Sequence, residues 1–237
     1  MKHTLTLLIA LVFTGFTAFS QVCEQMKHLQ NEATYSYKSF DAKGKLTSTS
    51  QNSVVRVNNE GDKVEAIVSN ETLDHKGKSV SSGEVTIICQ NNVIYLDLRS
   101  MINPQNMKGM ENMEVKIEEN QLELPSNLIV GDKLKDGVLK MTISNEGQQI
   151  AVIEMKIHNR TVEGQEEITT DAGSFDTWKI KYEMEMVTTT IIPLRIISSG
   201  IDWYSLEYGT IKTETYNRKE KLTGYSELSE ANFISAK

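Results

Sequence analysis

The chain has 237 residues, with 25 Lys and Arg against 32 Asp and Glu, a formal net charge of −7 and 39% hydrophobic residues. That length suits one domain with a sizeable core. No basic block interrupts the acidic balance, which speaks against nucleic acid and anionic membrane surfaces, because both need concentrated Lys and Arg.

Met1 to Ser20 read as a secretory signal peptide. Lys2 and His3 form the basic start, Leu5 to Phe19 the apolar run, and Ala18 and Ser20 place small residues before the cleavage point. The expected mature chain, 21–237, has 24 basic residues against 32 acidic ones. No later stretch approaches ~18 apolar residues, so no transmembrane segment is expected after cleavage. The protein is expected to be exported, to the periplasm or beyond. Lipidation at Cys23 is not expected. A lipoprotein signal wants a small residue directly before the cysteine and an aliphatic one three before it, and Val22 and Ser20 stand there instead.

The mature chain reads as a single β-rich domain in two halves, about 21–123 and 124–237. Its two cysteines, Cys23 and Cys89, lie 66 positions apart. One disulfide is the simplest pairing in an oxidising compartment. A loop of that size contributes roughly 4 kcal/mol in the chain-entropy account. A redox or metal pair needs closer spacing, such as C-x-x-C.

In chain order, Asp41-Ala-Lys-Gly-Lys45 and Asp74-His-Lys-Gly-Lys78 repeat one turn phrase, and Asn217-Arg-Lys-Glu-Lys221 is a degenerate third copy. Asp or Asn opens such a turn through its own side chain, and Gly supplies positive φ. Asn59 to Asp62 and Asn145 to Gln148 are similar turns. Val64, Ala66 and Val68, then Val85, Ile87 and Cys89, alternate as one-faced strands. Ser100 to Glu119, with Met101, Met107, Met110 and Met113, reads as a short helix or irregular flap. Leu124 to Leu128 reads as an extended linker, and the second β half starts near Gly137. Ala151, Ile153, Met155 and Ile157 alternate with charged residues. Trp178, Ile180, Tyr182, Met184 and Met186 alternate with Lys179, Lys181, Glu183 and Glu185 most clearly. Pro193 makes Thr188 to Ile197 an edge strand or bulge. Ser229 to Lys237 reads as frayed. One-faced strands point to antiparallel sheets. The expected fold is therefore mainly β, with curved antiparallel sheets forming a half-barrel or two-sheet sandwich, plus the Met-rich segment.

No hydrolase, metalloprotease, dinucleotide or P-loop motif occurs. His28, His75 and His158 are far apart and lack ligand spacing. Carboxylates such as Glu111, Glu114, Glu118 and Glu163 leave a hydrolase as a third reading, without the aromatic platforms a glycosidase needs. Met107, Met110 and Met113 have the thioether spacing of copper(I) sites. Core or flap packing is the favoured assignment, ahead of a lid over an apolar ligand. With no local His, no metal or cofactor is expected. Trp178, Tyr182 and Met184 on one strand, with Trp203 and Tyr204 on another, line a groove if the sheet is curved and open, with Arg195 as polar anchor. Ordinary core is the competing assignment.

Several phrases carry a resemblance when taken in order. They are the early Cys23, the D-x-K-G-K turns, Cys89 with Val93 to Asp97, Leu124-Pro125 with Val130-Gly131-Asp132, Asn159 to Glu163, Thr169 to Phe175, and Tyr208 to Tyr216. This series resembles the TapB-like family of exported domain-of-unknown-function proteins. The resemblance implies a curved antiparallel β architecture comparable to the half-open barrels of envelope lipid carriers. It implies no activity and no catalytic residues. Relatives often carry a cysteine near Thr177, and its absence favours the simple Cys23–Cys89 bridge. The function expected is a non-enzymatic envelope module that binds a lipid or other apolar ligand. The runner-up is an assembly module that recognises an envelope protein through a sheet edge.

Overall fold

The computed structural model describes residues 22–101 and 113–234. The expected signal peptide, Met107 and Met110 lie outside the described residues. Twelve strands account for most of the rest: β1 (Thr34–Asp41), β2 (Leu46–Glu60), β3 (Lys63–Asp74), β4 (Ser79–Gln90), β5 (Val93–Leu96), β6 (Glu114–Pro125), β7 (Gly137–Asn145), β8 (Gln148–Thr170), β9 (Gly173–Thr189), β10 (Leu194–Ser205), β11 (Gly209–Asn217) and β12 (Leu222–Ala231). Each pairs antiparallel with its sequence neighbours. The mainly-β, curved antiparallel expectation holds, and the sheet goes one step beyond a half-barrel. β1 pairs with β12, from Tyr35↔Ala231 to Asp41↔Gly224, and this ladder closes the barrel. Closure pairs most of the edges that an open sheet must protect, except beside the four-residue β5, where Ser79 to Ile87 of β4 and Glu114 to Gln121 of β6 have no ladder partner on that side among the described residues.

The repeated phrases are hairpin turns, as expected. The Asp41 carboxylate accepts the amides of Lys43 and Lys45 at 2.8 and 3.0 Å, and Asp74 does the same for Lys76 and Lys78. Asn217 plays this part for Lys219 and Lys221. Gly44 and Gly77 take φ of 76° and 79°, while the third copy places Glu220 at 56°.

Period-two alternation sets the two faces. Ile153, Met155 and Ile157 of β8 and Ile180, Tyr182 and Met186 of β9 are buried inside. Glu154, Lys156, Lys181 and Glu183 face solvent. A charged outer wall around an apolar lining is the inverse of a membrane-spanning barrel, whose outer wall must be apolar. No helix among the described residues is long and apolar enough to cross a membrane.

Residues 22–33 plug one end of the barrel. Cys23, Met26, Leu29 and Ala33 are buried in the first core cluster, with Val64, Ala66, Cys89 and Ile94. The Lys27 amide donates to the Glu207 carbonyl at 2.9 Å, and the Cys23–Cys89 disulfide ties the plug to β4. A second cluster lies on the β7–β9 wall, where Leu98, Leu139, Met141, Ile153 and Met155 pack together.

Four local expectations are corrected. Strand β6 begins at Glu114, inside the stretch expected to be non-β, and continues through Leu124-Pro125, expected to be linker. Pro193 sits in the β9–β10 connection, not in a strand. The end expected to fray is held as far as residue 234: Ala231 pairs with Tyr35, and Asn232 bonds Thr34 and Glu32. Only a short 3-10 turn, Leu98–Met101, precedes the Met-rich segment.

Candidate functional site

The barrel interior holds a partly open cavity of about 420 Å³. Small-molecule sites occupy ~300–1,000 Å³. The cavity runs along the barrel from His28, on the plug, to Met184, Ser198 and Thr215. Val68, Val85, Ile87, Leu96 and Leu122 supply apolar wall, and Tyr35, Tyr37, Tyr182 and Tyr204 supply amphipathic wall. A second groove near Gln51, Ser69 and Glu230 is more open and about as polar as apolar, so it does not exclude water.

Register decides which groups point inward. On β10, Gly200, Asp202 and Tyr204 alternate with Ile201 and Trp203. Asp202 and Tyr204 face the cavity. Gly200 lies opposite Tyr182, and a Cβ there would fall 2.3 Å from Cζ of the tyrosine ring. The glycine thus lets the ring lie across the strand.

The lining holds an internal carboxylate. Thr213 Oγ1 donates to Asp202 Oδ1 at 2.7 Å, and Tyr182 also bonds it. Burial pushes the Asp202 carboxyl up to about 6, against the opposing pull of Thr213, Arg160 and Tyr182. Arg160 reaches the interior through a bulge in β8. Between His158↔Glu183 and Thr161↔Lys181 the strand gains one residue, which turns Arg160 inward. Its Nη1 donates to the carbonyls of Glu123 and Lys135 at 2.7 and 2.6 Å. Asp97 lies on the same cavity wall. Burial raises its pKa, but the bonds from Arg99 and Asn120 outweigh this and hold the carboxylate below its usual range. His28, at the plug end, is fully enclosed, and burial lowers its imidazole to about 4 despite the Glu207 carbonyl at 3.2 Å.

Two buried hydroxyls in this lining, Tyr204 and Ser198, have no hydrogen-bond partner among the described residues. Each such orphan costs ~1–3 kcal/mol.

The groove expected from sequence divides in three. Tyr182, Met184 and Tyr204 line the cavity. Trp178 is half-buried against the first core cluster and is not in the lining. Trp203 lies on the outer wall, where its Nε1 donates to Glu166 at 2.5 Å and Lys179 and Lys212 sit over its ring at 5.6 and 4.9 Å. Grouping it with Tyr204 breaks the rule that adjacent strand residues face opposite sides. Arg195 is also outside, paired in bidentate fashion with Glu185. Met113 packs half-buried against the second cluster. Among the described residues no three His, Cys, Asp or Glu side chains converge as a metal set. His75 lies in the β3–β4 turn, and His158 stands 3.8 Å from Glu183 on the outer wall. The sequence reading missed Asp202 and Arg160. Asp202 carried a signal, an acidic residue on the parity of Tyr204. The bulge that aims Arg160 had none.

The fold is shared. A candidate lipoprotein from Parabacteroides distasonis ATCC 8503 matches with a TM-score of 0.72 and 26% identity, over 86% of this chain and 96% of its own. A candidate exported protein with a YmcC-like fold from Bacteroides fragilis NCTC 9343 matches with a TM-score of 0.71 and 24% identity, over the same shares. The first name gives no support to the expectation against lipidation. No curated protein matches. The DUF3108-like family model matches residues 31–228. That agrees with the coarser part of the resemblance, a family of unknown function, and does not carry the TapB-like name. Spanning nearly the whole barrel, from the residues before β1 into β12, the match shows that the chain belongs to the DUF3108-like family.

Proposed function

We propose that this protein is an exported, non-enzymatic binding module that takes a ligand with an apolar body and a polar end into the barrel interior. The observation that carries the reading is the cavity of about 420 Å³ whose lining contains the orphaned Tyr204 and Ser198 hydroxyls. The two hydroxyls stand six residues apart on β10, roughly 20 Å along the strand, so a ligand's polar end would serve one of them while its apolar body covered Val68, Val85 and Ile87. With Asp202 and Asp97 in the wall, and Arg160 committed to two carbonyls, an uncharged or cationic end suits the cavity better than a carboxylate. The signal-like start and the names of the two solved relatives support an envelope location. The sheet-edge reading keeps a place to act, because β5 is only four residues long and leaves Ser79 to Ile87 of β4 and Glu114 to Gln121 of β6 without a ladder partner on that side among the described residues.

The test is displacement of a solvatochromic dye from purified protein by long-chain alcohols, amines and fatty acids of equal length, with native mass spectrometry of the protein as isolated. Alcohols and amines should displace best. Tyr204→Phe should weaken alcohol binding by up to about tenfold, the worth of one hydrogen bond, without lowering the stability of the empty protein. A protein that takes up no dye and carries no bound mass would overturn the reading.

A further inference from the structure

An up-and-down barrel sends every second turn to the same end. Here the β1–β2, β3–β4, β7–β8, β9–β10 and β11–β12 hairpins share one end, opposite the plug. The three lysine turn phrases fall on adjacent hairpins of that rim, because β12 neighbours β1 and β2 neighbours β3. They present Lys43, Lys45, Lys76, Lys78, Arg218, Lys219 and Lys221, all exposed, against Asp41, Asp74 and Glu220. Seven basic residues against three acidic ones reverse the sign of the whole chain, which is −7. Two of the three acids, Asp41 and Asp74, are bonded to the amides of their own turns. Farther round the rim the β7–β8 turn adds Glu146 and the start of β6 adds Glu114, and Arg195 is neutralised by Glu185.

The next hairpin along the rim is apolar. Ile191 is 100% exposed, Ile192 77% and Leu194 61%, with Ile196, Ile197 and, on the adjoining strand, Ile150 also exposed. The last β10–β11 pair is Ser198↔Asn217, so Leu194 to Ile197 run past the β11–β12 turn with a partner on the β9 side alone. Four residues of strand are about 13 Å long, and at the ~40° tilt of barrel strands they rise about 10 Å along the axis. A contiguous apolar tip of this kind marks an interaction site.

We propose that this end of the barrel docks on an anionic phospholipid bilayer, with the Ile191–Leu194 tip among the acyl chains and the basic hairpins against the phosphates. Net charge spoke against such a surface, but the topology gathers onto one end what the sequence scatters. The projection is of the size needed to pass the headgroups, since interfacial elements bury their apolar face ~5–10 Å deep. The lysines supply attraction that falls off within a Debye length. This surface lies outside the cavity, and the proposal stands without the cavity reading.

The test is flotation of the purified protein with vesicles of phosphatidylglycerol and phosphatidylcholine, and with phosphatidylcholine alone. Binding is expected to the anionic vesicles, weakened by salt. Ile191→Asp with Ile192→Asp should reduce it about a hundredfold or more, given the apolar burial lost. Each of Lys43→Gln and Lys219→Gln should reduce it about fivefold. Ile129→Asp with Val130→Asp alters two other exposed apolar residues, at the plugged end, and should leave binding unchanged. All these side chains are solvent-facing, and circular dichroism checks that the variants fold. Absence of binding to anionic vesicles, equal binding to neutral ones, or equal loss from the plugged-end variant would overturn the proposal.

Discussion

Two buried titratable groups in the cavity lining predict a stability profile that hides its own causes. Burial lowers His28 from 6.5 to about 4. Between those values the unfolded chain binds a proton that the folded chain refuses. Stability from His28 is therefore complete above pH 6.5 and is lost as pH falls through 4. Asp202 is raised from 3.8 to about 6. Between those values the folded chain keeps a proton that the unfolded chain has released. Its contribution is complete below pH 3.8 and is lost as pH rises through 6. At ~1.4 kcal/mol per unit, each group changes stability by about 3 kcal/mol over almost the same window, with opposite sign. The two slopes should cancel. Carboxylates held below their ordinary range, such as Asp41, act mostly below about pH 4. Denaturant unfolding of the disulfide-intact protein should give nearly level stability from pH 4 to 6.5. Asp202→Asn should uncover the histidine slope, with stability rising by about 3 kcal/mol toward pH 6.5. His28→Gln should uncover the opposite slope, falling by a similar amount. Slopes within each variant are compared, so packing losses common to all pH values drop out. A level profile in both variants would refute the assigned burial of these groups.

Two further predictions concern backbone positions. Gly200→Ala should destabilise the barrel by about 1–3 kcal/mol, because its Cβ would lie 2.3 Å from the Tyr182 ring. Combining it with Tyr182→Leu should recover most of that loss in denaturant midpoints, and an equal cost in both backgrounds would sink the clash. Glu220→Gly should stabilise by about 1 kcal/mol, since this turn holds a non-glycine residue at φ 56° where its two sister turns have glycine. A lower melting temperature would contradict that.

Strand identity was legible where alternation was strong. The runs from Ala151 to Ile157 and from Trp178 to Met186 fell on β8 and β9 with the expected faces, and each turn phrase became a hairpin. Closure was not legible, because it rests on pairs such as Tyr35↔Ala231 that no local pattern connects. For the same reason the C-terminal residues, which look like a loose end, are a barrel seam. The site was legible in part. Alternation correctly set Tyr182 and Met184 on an inward face, and applied to β10 it would have separated Trp203 from Tyr204 and flagged Asp202. It fails at Arg160, since an inserted residue shifts the phase until a second bulge, between Val162 and Gly164, restores it.

The same distinction explains why net charge misleads about partners. A charge total averages over a surface, whereas a docking partner meets one end of it. The acidic excess of this chain lies largely along the walls, in residues such as Glu154, Glu183 and Glu227, where it is interleaved with lysines. The turns obey a different rule. In a barrel whose strands all join their sequence neighbours, a turn's end is fixed by whether the preceding strand is odd or even in number. The phrases at Asp41, Asp74 and Asn217 and the apolar run at Ile191 all follow odd strands, so their convergence is a consequence of strand count. Once closure and count are known, a cationic rim with an apolar tip follows from a sequence that shows no basic block at all.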